Sequence, residues 1–294
     1  MEPVVFKTGN GNSYIYSPAE KSLMPIPVSL YNDLLTKGDS DDQIWKVLKS
    51  KGYLKHYHDM FEGVVDKSTV HKALRNLSQI VFETTTFCNL RCEYCCYGEG
   101  YSTFDNRRKY HGNLKFITAK TILDYLCSLF KKEKSSNAPK EPFAISFYGG
   151  EPLMNFNVIK EIVEYAEKLD FTNRQLSFTM TTNATLLAKY ATFLHDHKFK
   201  LLISLDGDKP HDAYRKTFDK QESFEVVMAN LHKVKENYPD WFSTFRYNAV
   251  YTNISDIEDV VKWFRKTFNK VPNFSPLHTP TEGAKEYVKI KSMT

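Results

Sequence analysis

The sequence predicts an α/β protein, a sheet of parallel strands with helices crossing over between them, preceded by a small α+β extension. Three observations carry that expectation. From Ile80 onward, short apolar runs of strand length alternate with amphipathic stretches of helix length. Each of the first five strand-length runs is followed by one helix-length stretch, which demands parallel pairing with right-handed crossovers. The 294 residues, 41% hydrophobic and 26% charged, suffice for one large domain and a small one.

Residues 1–79 come before the first of these strands. Tyr14-Ile15-Tyr16 and Leu23-Met24 flank Ser17-Pro18-Ala19-Glu20, a hairpin or turn. Helices are expected over Val28–Lys37, Asp41–Lys51 and Asp66–Leu77. Asp41 can cap the second, Gly52 stands where a helix often ends, and Ile44, Val47 and Leu48 form its apolar face. The alternating region then reads as strand Ile80–Phe87, helix Thr118–Lys132, strand Phe143–Tyr148, helix Val158–Leu169, strand Leu176–Thr182 and helix Leu187–His195. It continues as strand Lys200–Leu205, helix Phe224–Tyr238, strand Phe245–Tyr251, helix Ile257–Phe268 and strand Asn273–Leu277. Each strand is short and apolar. Lys131–Lys140 is a solvated loop, and residues 97–116 form a longer Gly- and Tyr-rich loop.

Met1 to Gly11 has no basic segment followed by an apolar core, so no signal peptide is expected. No apolar run approaches membrane-spanning length, and no membrane is expected as a partner. Of the five cysteines, four lie between Cys88 and Cys96, which is no disulfide framework. A reducing cytoplasm is the expected location. The net charge of +5 suits an acidic peptide or an acidic electron donor and gives no reason to expect nucleic acid.

Cys88, Cys92 and Cys95 follow the first strand at spacings of four and three residues. Thiolates so spaced on a loop can wrap one soft metal centre. Three thiolates on a four-iron cubane leave one iron without a protein ligand, an open position where a small molecule can bind and react. The alternative is a structural zinc knot with Cys96 as the fourth thiolate. Zinc knuckles usually bring a second ligand pair from far along the chain, and here Cys127 stands alone among helical apolar residues, as a core residue does.

The C-x3-C-x2-C pattern, with Tyr94 before its last cysteine, resembles the radical SAM (S-adenosylmethionine) enzymes. Gly149-Gly150-Glu151-Pro152 resembles the family's GGEP segment, and Thr181-Thr182-Asn183 and Ser204-Leu205-Asp206-Gly207 resemble two further segments in the family's order. The likeness covers roughly residues 80–280 and is greatest to the peptide- and protein-modifying maturase branch. It implies a partial (β/α)6 TIM-like barrel over 80–278, open on one side, with residues 1–79 as a barrel-covering extension or peptide-docking module. Residues 279–294 form a tail or the start of a truncated region, because that branch usually continues into a cysteine-rich segment. Ligands of such sheets sit beyond the strands' carboxyl ends, where every motif lies.

The resemblance also implies the site. A 4Fe-4S cluster would be held by Cys88, Cys92 and Cys95, and S-adenosylmethionine by Tyr94, Gly149, Gly150, Glu151, Ser204, Asp206, Arg215 and Leu277. Tyr94 would pack near the adenine and the glycine turn would meet the methionine amino group. Ser204 would touch the ribose or carboxylate end, and Leu277 the adenine. Arg215, in His211-Asp212-Ala213-Tyr214-Arg215, would hold the methionine carboxylate, which suits a planar two-donor group, and its alternative is a surface arginine. The glycines would let backbone approach the ligand closely. Ala184 stands where the family usually has glycine, so a less strained turn is expected there. His278 is a candidate for the substrate side or a satisfied polar group. No catalytic side chain is assigned.

The implied reaction is one-electron cleavage of the sulfonium to methionine and a 5′-deoxyadenosyl radical, which takes a hydrogen atom from a peptide or protein side chain. A flavodoxin or ferredoxin would supply the electron. The alternatives are a radical SAM enzyme acting on a small molecule, and a non-catalytic barrel that binds metal or peptide.

Overall fold

In the computed structural model the described residues are 3–18, 20–36, 43–53, 65–95, 97, 112–131, 142–172 and 174–277. Two compact units divide the chain, Met1–Lys67 and Ser68–Thr294.

In the first unit, β1 (Val4–Lys7), β2 (Ser13–Ser17) and β3 (Ser22–Ile26) pair antiparallel in that order. The expected hairpin is the β2–β3 connection. Ile15, Ile26 and Leu30 of α1 (Val28–Thr36) pack with Trp45 and Leu48 of α2 (Gln43–Ser50). This corrects the apolar face expected for α2, because Ile44 and Val47 are exposed. One turn of helix places Trp45 beside Leu48, and the larger ring takes the core position. Gly52, at φ +81°, ends α2, and Tyr53 N–H donates back to Leu48 O at 2.9 Å. The Asp41 cap lies outside the described residues.

The second unit follows α3 (Lys67–Arg75) with β4 (Gln79–Thr85), α4 (Phe116–Lys131), β5 (Phe143–Gly149), α5 (Phe156–Ala166), β6 (Leu176–Thr182) and α6 (Leu187–Asp196). Then come β7 (Lys200–Ser204), α7 (Phe224–Asn237), α8 (Pro239–Ser243), β8 (Arg246–Tyr251), α9 (Ile257–Phe268) and β9 (Asn273–Pro276). The six strands β4 to β9 lie in sequence order, and every adjacent pair is parallel. Such an α/β sheet is the expected architecture. Residues 98–111, 132–141 and 278–294, with the two expected loops' greater part, His278 and the tail, lie outside the described residues.

α9 illustrates how local sequence sets an element. The Asp256 carboxylate accepts the Asp259 N–H, Glu258 and Asp259 fill the first turn, and Arg265 and Lys266 fill the last. Val260 and Phe264 supply the buried face, and Asn269, at φ +54°, closes the helix in the left-handed conformation. The short α8 was not expected. Pro239 starts it, Trp241 and Phe242 are buried, and the Trp241 indole N–H donates to Phe199 O at 2.7 Å.

The strands are not uniformly apolar, which corrects the sequence expectation. In β6, Phe178, Met180 and Thr182 are buried, while Ser177, Thr179 and Thr181 alternate with them. Phe178 and Phe147 stack on Phe199 with ring centroids 5.4 and 5.7 Å apart. The opposite face is polar because it lines an open cavity rather than a second helix layer. Among the described residues, no helix is long and apolar enough to cross a membrane.

Phe199, 1% exposed, is central to that aromatic layer. Phe199→Ala is expected to lower unfolding stability by about 3–5 kcal/mol in urea titration. Val271→Ala, at a 55% exposed position, should change it by less than about 0.5 kcal/mol.

Candidate functional site

A cavity of about 430 Å³ opens at the carboxyl ends of the second unit's strands. Its wall brings together Cys88, Cys92, Cys95, Tyr94, Gly149, Gly150, Glu151, Ser204, Arg215 and Leu277. Every predicted site residue therefore lines it except Asp206, and Thr181, Asn183, Asn248 and Ser275 join them.

The cysteine loop leaves β4 and is tied down along its length. Arg91 N–H donates to Lys216 O at 2.6 Å and Glu93 N–H to Tyr214 O at 3.0 Å, so the segment after β7 pairs with it. Leu90, 1% exposed, is its apolar anchor.

The two glycines line the cavity and also pack tightly against neighbouring backbone. A Cβ on Gly149 would stand 2.3 Å from Thr85 O, and one on Gly150 would stand 2.1 Å from Phe87 O. The tight approach is thus to the protein's own backbone at the base of the cysteine loop. Gly150 N–H and Glu151 N–H donate to Thr85 O and Phe87 O, both at 2.8 Å. Gly149 also has φ +137°, which a residue with Cβ rarely adopts.

Glu151 is 1% exposed. Its carboxylate accepts from Thr182 Oγ1 at 2.8 Å, from Asn183 N–H at 2.8 Å and from Leu153 N–H at 3.1 Å. Burial raises its pKa, and those donors oppose the rise. Glu151 therefore joins the end of β5 to the end of β6.

Arg215 is 4% exposed, so it is a wall residue and not a surface arginine. Its Nη1 donates to Tyr94 Oη at 3.2 Å, and its Nε lies 3.4 Å from Asp212 Oδ1 without hydrogen-bond geometry. Tyr94 in turn donates to Asp206, whose other oxygen accepts Val250 N–H at 2.9 Å. Asp206 stands behind the wall and holds it.

Sequence reasoning passed over Asn183 as a site residue. It is buried, lines the cavity, and points Nδ2 at Cys88 Sγ, 3.7 Å away. The expected relaxation at Ala184 is corrected as well. Ala184 keeps φ +60°, the left-handed geometry that favours glycine, held by Asn230 Nδ2 on its carbonyl at 3.0 Å. The Thr-Thr-Asn segment was the available signal for Asn183.

The donor set fits a soft multi-atom metal cluster with an open corner. Three thiols, Cys88, Cys92 and Cys95, share one wall and form a soft donor set. Cys96 lies outside the described residues. Burial pushes the Cys92 thiol up to about 12 and raises Cys88, so loading metal must release protons. The Arg215 guanidinium lines the same cavity as the thiols, and a planar cation there suits a carboxylate. Cys127, by contrast, is buried on α4 away from this wall.

A family model described as the Radical SAM superfamily matches residues 82–264. A cysteine-type anaerobic sulfatase-maturating enzyme of Clostridium novyi is 28% identical over 218 residues, 71% of this chain and 54% of that protein. The radical SAM cyclopropyl synthase TigE of Paramaledivibacter caminithermalis is 26% identical over 51% of this chain and 31% of its own length. The chain thus spans about half or less of these relatives. Among solved structures, native anSMEcpe with bound AdoMet and Cp18Cys peptide superposes with TM-score 0.55 at 22% identity, covering 73% of this chain and 57% of that one. This last likeness speaks for the fold.

Gly150→Ala must displace the Phe87 carbonyl. It is expected to cost about 1–3 kcal/mol of stability and to reduce iron retained after anaerobic reconstitution, read by denaturant titration and iron analysis.

Proposed function

This chain belongs to the radical SAM superfamily, and on that premise we propose that it is an enzyme that modifies a peptide or protein side chain. S-adenosylmethionine and a 4Fe-4S cluster are the family's cofactors. The observation that carries the reading is the meeting of three thiols, the glycine turn and the buried Arg215 on one cavity wall. When bound, the cluster supplies one electron that cleaves S-adenosylmethionine to methionine and a 5′-deoxyadenosyl radical able to take hydrogen from a substrate carbon.

The chain's own residues bind and orient. Cys88, Cys92 and Cys95 would hold the cluster through their three thiolates. The Arg215 guanidinium on the same wall would bind the methionine carboxylate. Tyr94 and Leu277 would contact the adenine, and Ser204 the ribose end. Asp206 keeps Tyr94 in place from behind. Thr181, Asn248 and Ser275 add polar groups to a cavity that Leu202, Val250 and Leu277 also line.

The peptide substrate is supported by the sulfatase-maturating relative and by the N-terminal unit. There, β3 pairs with β2 on one side, and among the described residues no strand covers its other edge. An extended peptide can add to such an edge, which favours the docking module over a simple covering extension. A cytoplasmic location and a flavodoxin or ferredoxin donor belong to the same proposal.

Anaerobic incubation of the reconstituted protein with dithionite and S-adenosylmethionine should yield 5′-deoxyadenosine. Cys92→Ala should abolish both the product and iron binding. A colourless wild-type protein that makes none overturns the assignment. Arg215→Lys should retain iron but weaken S-adenosylmethionine binding about tenfold or more, measured by equilibrium dialysis. Deleting residues 1–66 should weaken the affinity for the peptide substrate while leaving uncoupled 5′-deoxyadenosine formation in place.

A further inference from the structure

Asn89, Asn183 and Thr185 close a ring of hydrogen bonds at the base of the cysteine loop. Thr185 N–H and Oγ1–H both donate to Asn183 Oδ1, at 3.0 and 2.6 Å. Asn89 Nδ2 donates to Thr185 Oγ1 at 2.7 Å, which commits the hydroxyl proton to Asn183. Asn183 Nδ2 completes the ring on Asn89 Oδ1 at 3.0 Å. Two donors on Oδ1 fix which end of the carboxamide is oxygen. The remaining amide proton is therefore aimed at Cys88 Sγ, 3.7 Å from Nδ2. Leu90 N–H reaches the same sulfur at 3.4 Å. The Asn183 backbone is held independently, its N–H bound by the buried Glu151 carboxylate at 2.8 Å.

We propose that Asn183 is a positioning residue that sets the reduction potential of the cluster by donating a hydrogen bond to the Cys88 sulfur. The inference rests on the reading of Cys88 as a cluster ligand. One electron from a flavin or iron–sulfur donor, or from dithionite in the assay, enters the cluster and no bond is made or broken. The added negative charge spreads onto the thiolate sulfurs. An N–H dipole aimed at one of them stabilises the reduced form more than the oxidised form and raises the potential. Asn183 itself is buried, which limits the screening of its dipole. Among the described residues two donors, Leu90 N–H and Asn183 Nδ2, converge on Cys88 Sγ.

The test is an EPR-monitored redox titration of the reconstituted full chain without S-adenosylmethionine, so that a direct contact between Asn183 and the cofactor does not contribute. Asn183→Leu removes the donor at similar size, and Asn183→Asp also adds negative charge. The leucine variant should be harder to reduce by about tenfold in equilibrium, about 59 mV lower for a one-electron couple, with the aspartate variant lower still. A role confined to holding the loop would cost iron without grading the potential. Variants that carry full iron at the wild-type potential overturn the inference. Should the variants fail to load, wild-type protein labelled at the asparagine side-chain nitrogen decides by pulsed EPR. A coupling of that nitrogen to the reduced cluster is expected, and its absence overturns the inference. A wild type that binds no iron removes the cluster reading and this inference with it, whereas iron present with an unmoved potential removes only the inference.

Discussion

Two backbone hydrogen bonds, from Gly150 N–H to Thr85 O and from Glu151 N–H to Phe87 O, govern the geometry of the site. Each is worth only about 1 kcal/mol net. Their importance is positional. They form where the β4–β5 ladder shifts register between Glu83 and Thr85, as the two strands give way to loops. Without this contact the cysteine loop would leave β4 at an undefined angle. With it, Cys88 stands one residue beyond a clamped carbonyl, and Glu151 is turned toward the end of β6. There its carboxylate takes the Thr182 hydroxyl and the Asn183 N–H, so three successive strand ends are joined into one rim. The absence of two Cβ atoms is what allows this, and the glycines are spent on the protein's own packing as much as on any ligand.

The same sheet has two chemically different faces. Outward residues such as Phe147, Phe178, Ile145 and Met180 merge with the helices in one large core. Inward residues are mixed, with Tyr148, Leu202 and Val250 lining the cavity beside polar groups, and below it polar side chains satisfy one another. Gln79 Nε2 donates to Ser146 Oγ, which bonds Thr179 Oγ1, a chain across three neighbouring strands. On the other side, Ser275 Oγ donates to Asn248 Oδ1 at 2.9 Å. A polar interior of this kind would be costly in a closed barrel filled with side chains. It is tolerated here because the sheet is open and its upper half borders a cavity.

The fold was legible wherever a physical periodicity was long enough to see. β6 and α9 match their expected limits residue for residue, since one is bounded by a turn and the other by a carboxylate cap and a left-handed asparagine. α8 escaped notice because five residues are too few to show a helical period. The inner face escaped too, although Leu-Ser-Phe-Thr-Met-Thr-Thr alternates openly. At the site, the cysteine spacing is legible in the residues themselves, and the other positions follow from the resemblance to a known family. The division of labour among them was not, because a residue that touches the cavity and one that supports it from behind carry the same sequence signature. Ala184 is a sharper case. Substitution of a glycine suggested a relaxed turn, yet the tertiary clamps on its neighbours, Asn230 on one side and Glu151 on the other, keep φ positive. The cost is on the order of 1–2 kcal/mol, and the fold retains the turn regardless.

Charge balance explains why Asp206 belongs behind the wall rather than in it. Arg215 is buried at 4% exposure, and an uncompensated guanidinium there would cost several kcal/mol. Asp212 lies beside Nε, and Asp206 is connected through the Tyr94 hydroxyl, so two carboxylates face one cation. Burial raises the pKa of both, with Arg215 opposing the rise. A buried cation with two acidic neighbours can keep its charge while its guanidinium still borders the cavity. Set one layer back and linked through the Tyr94 phenol, Asp206 sustains that charge without itself lining the wall, so the arginine is balanced from behind rather than from the cavity side.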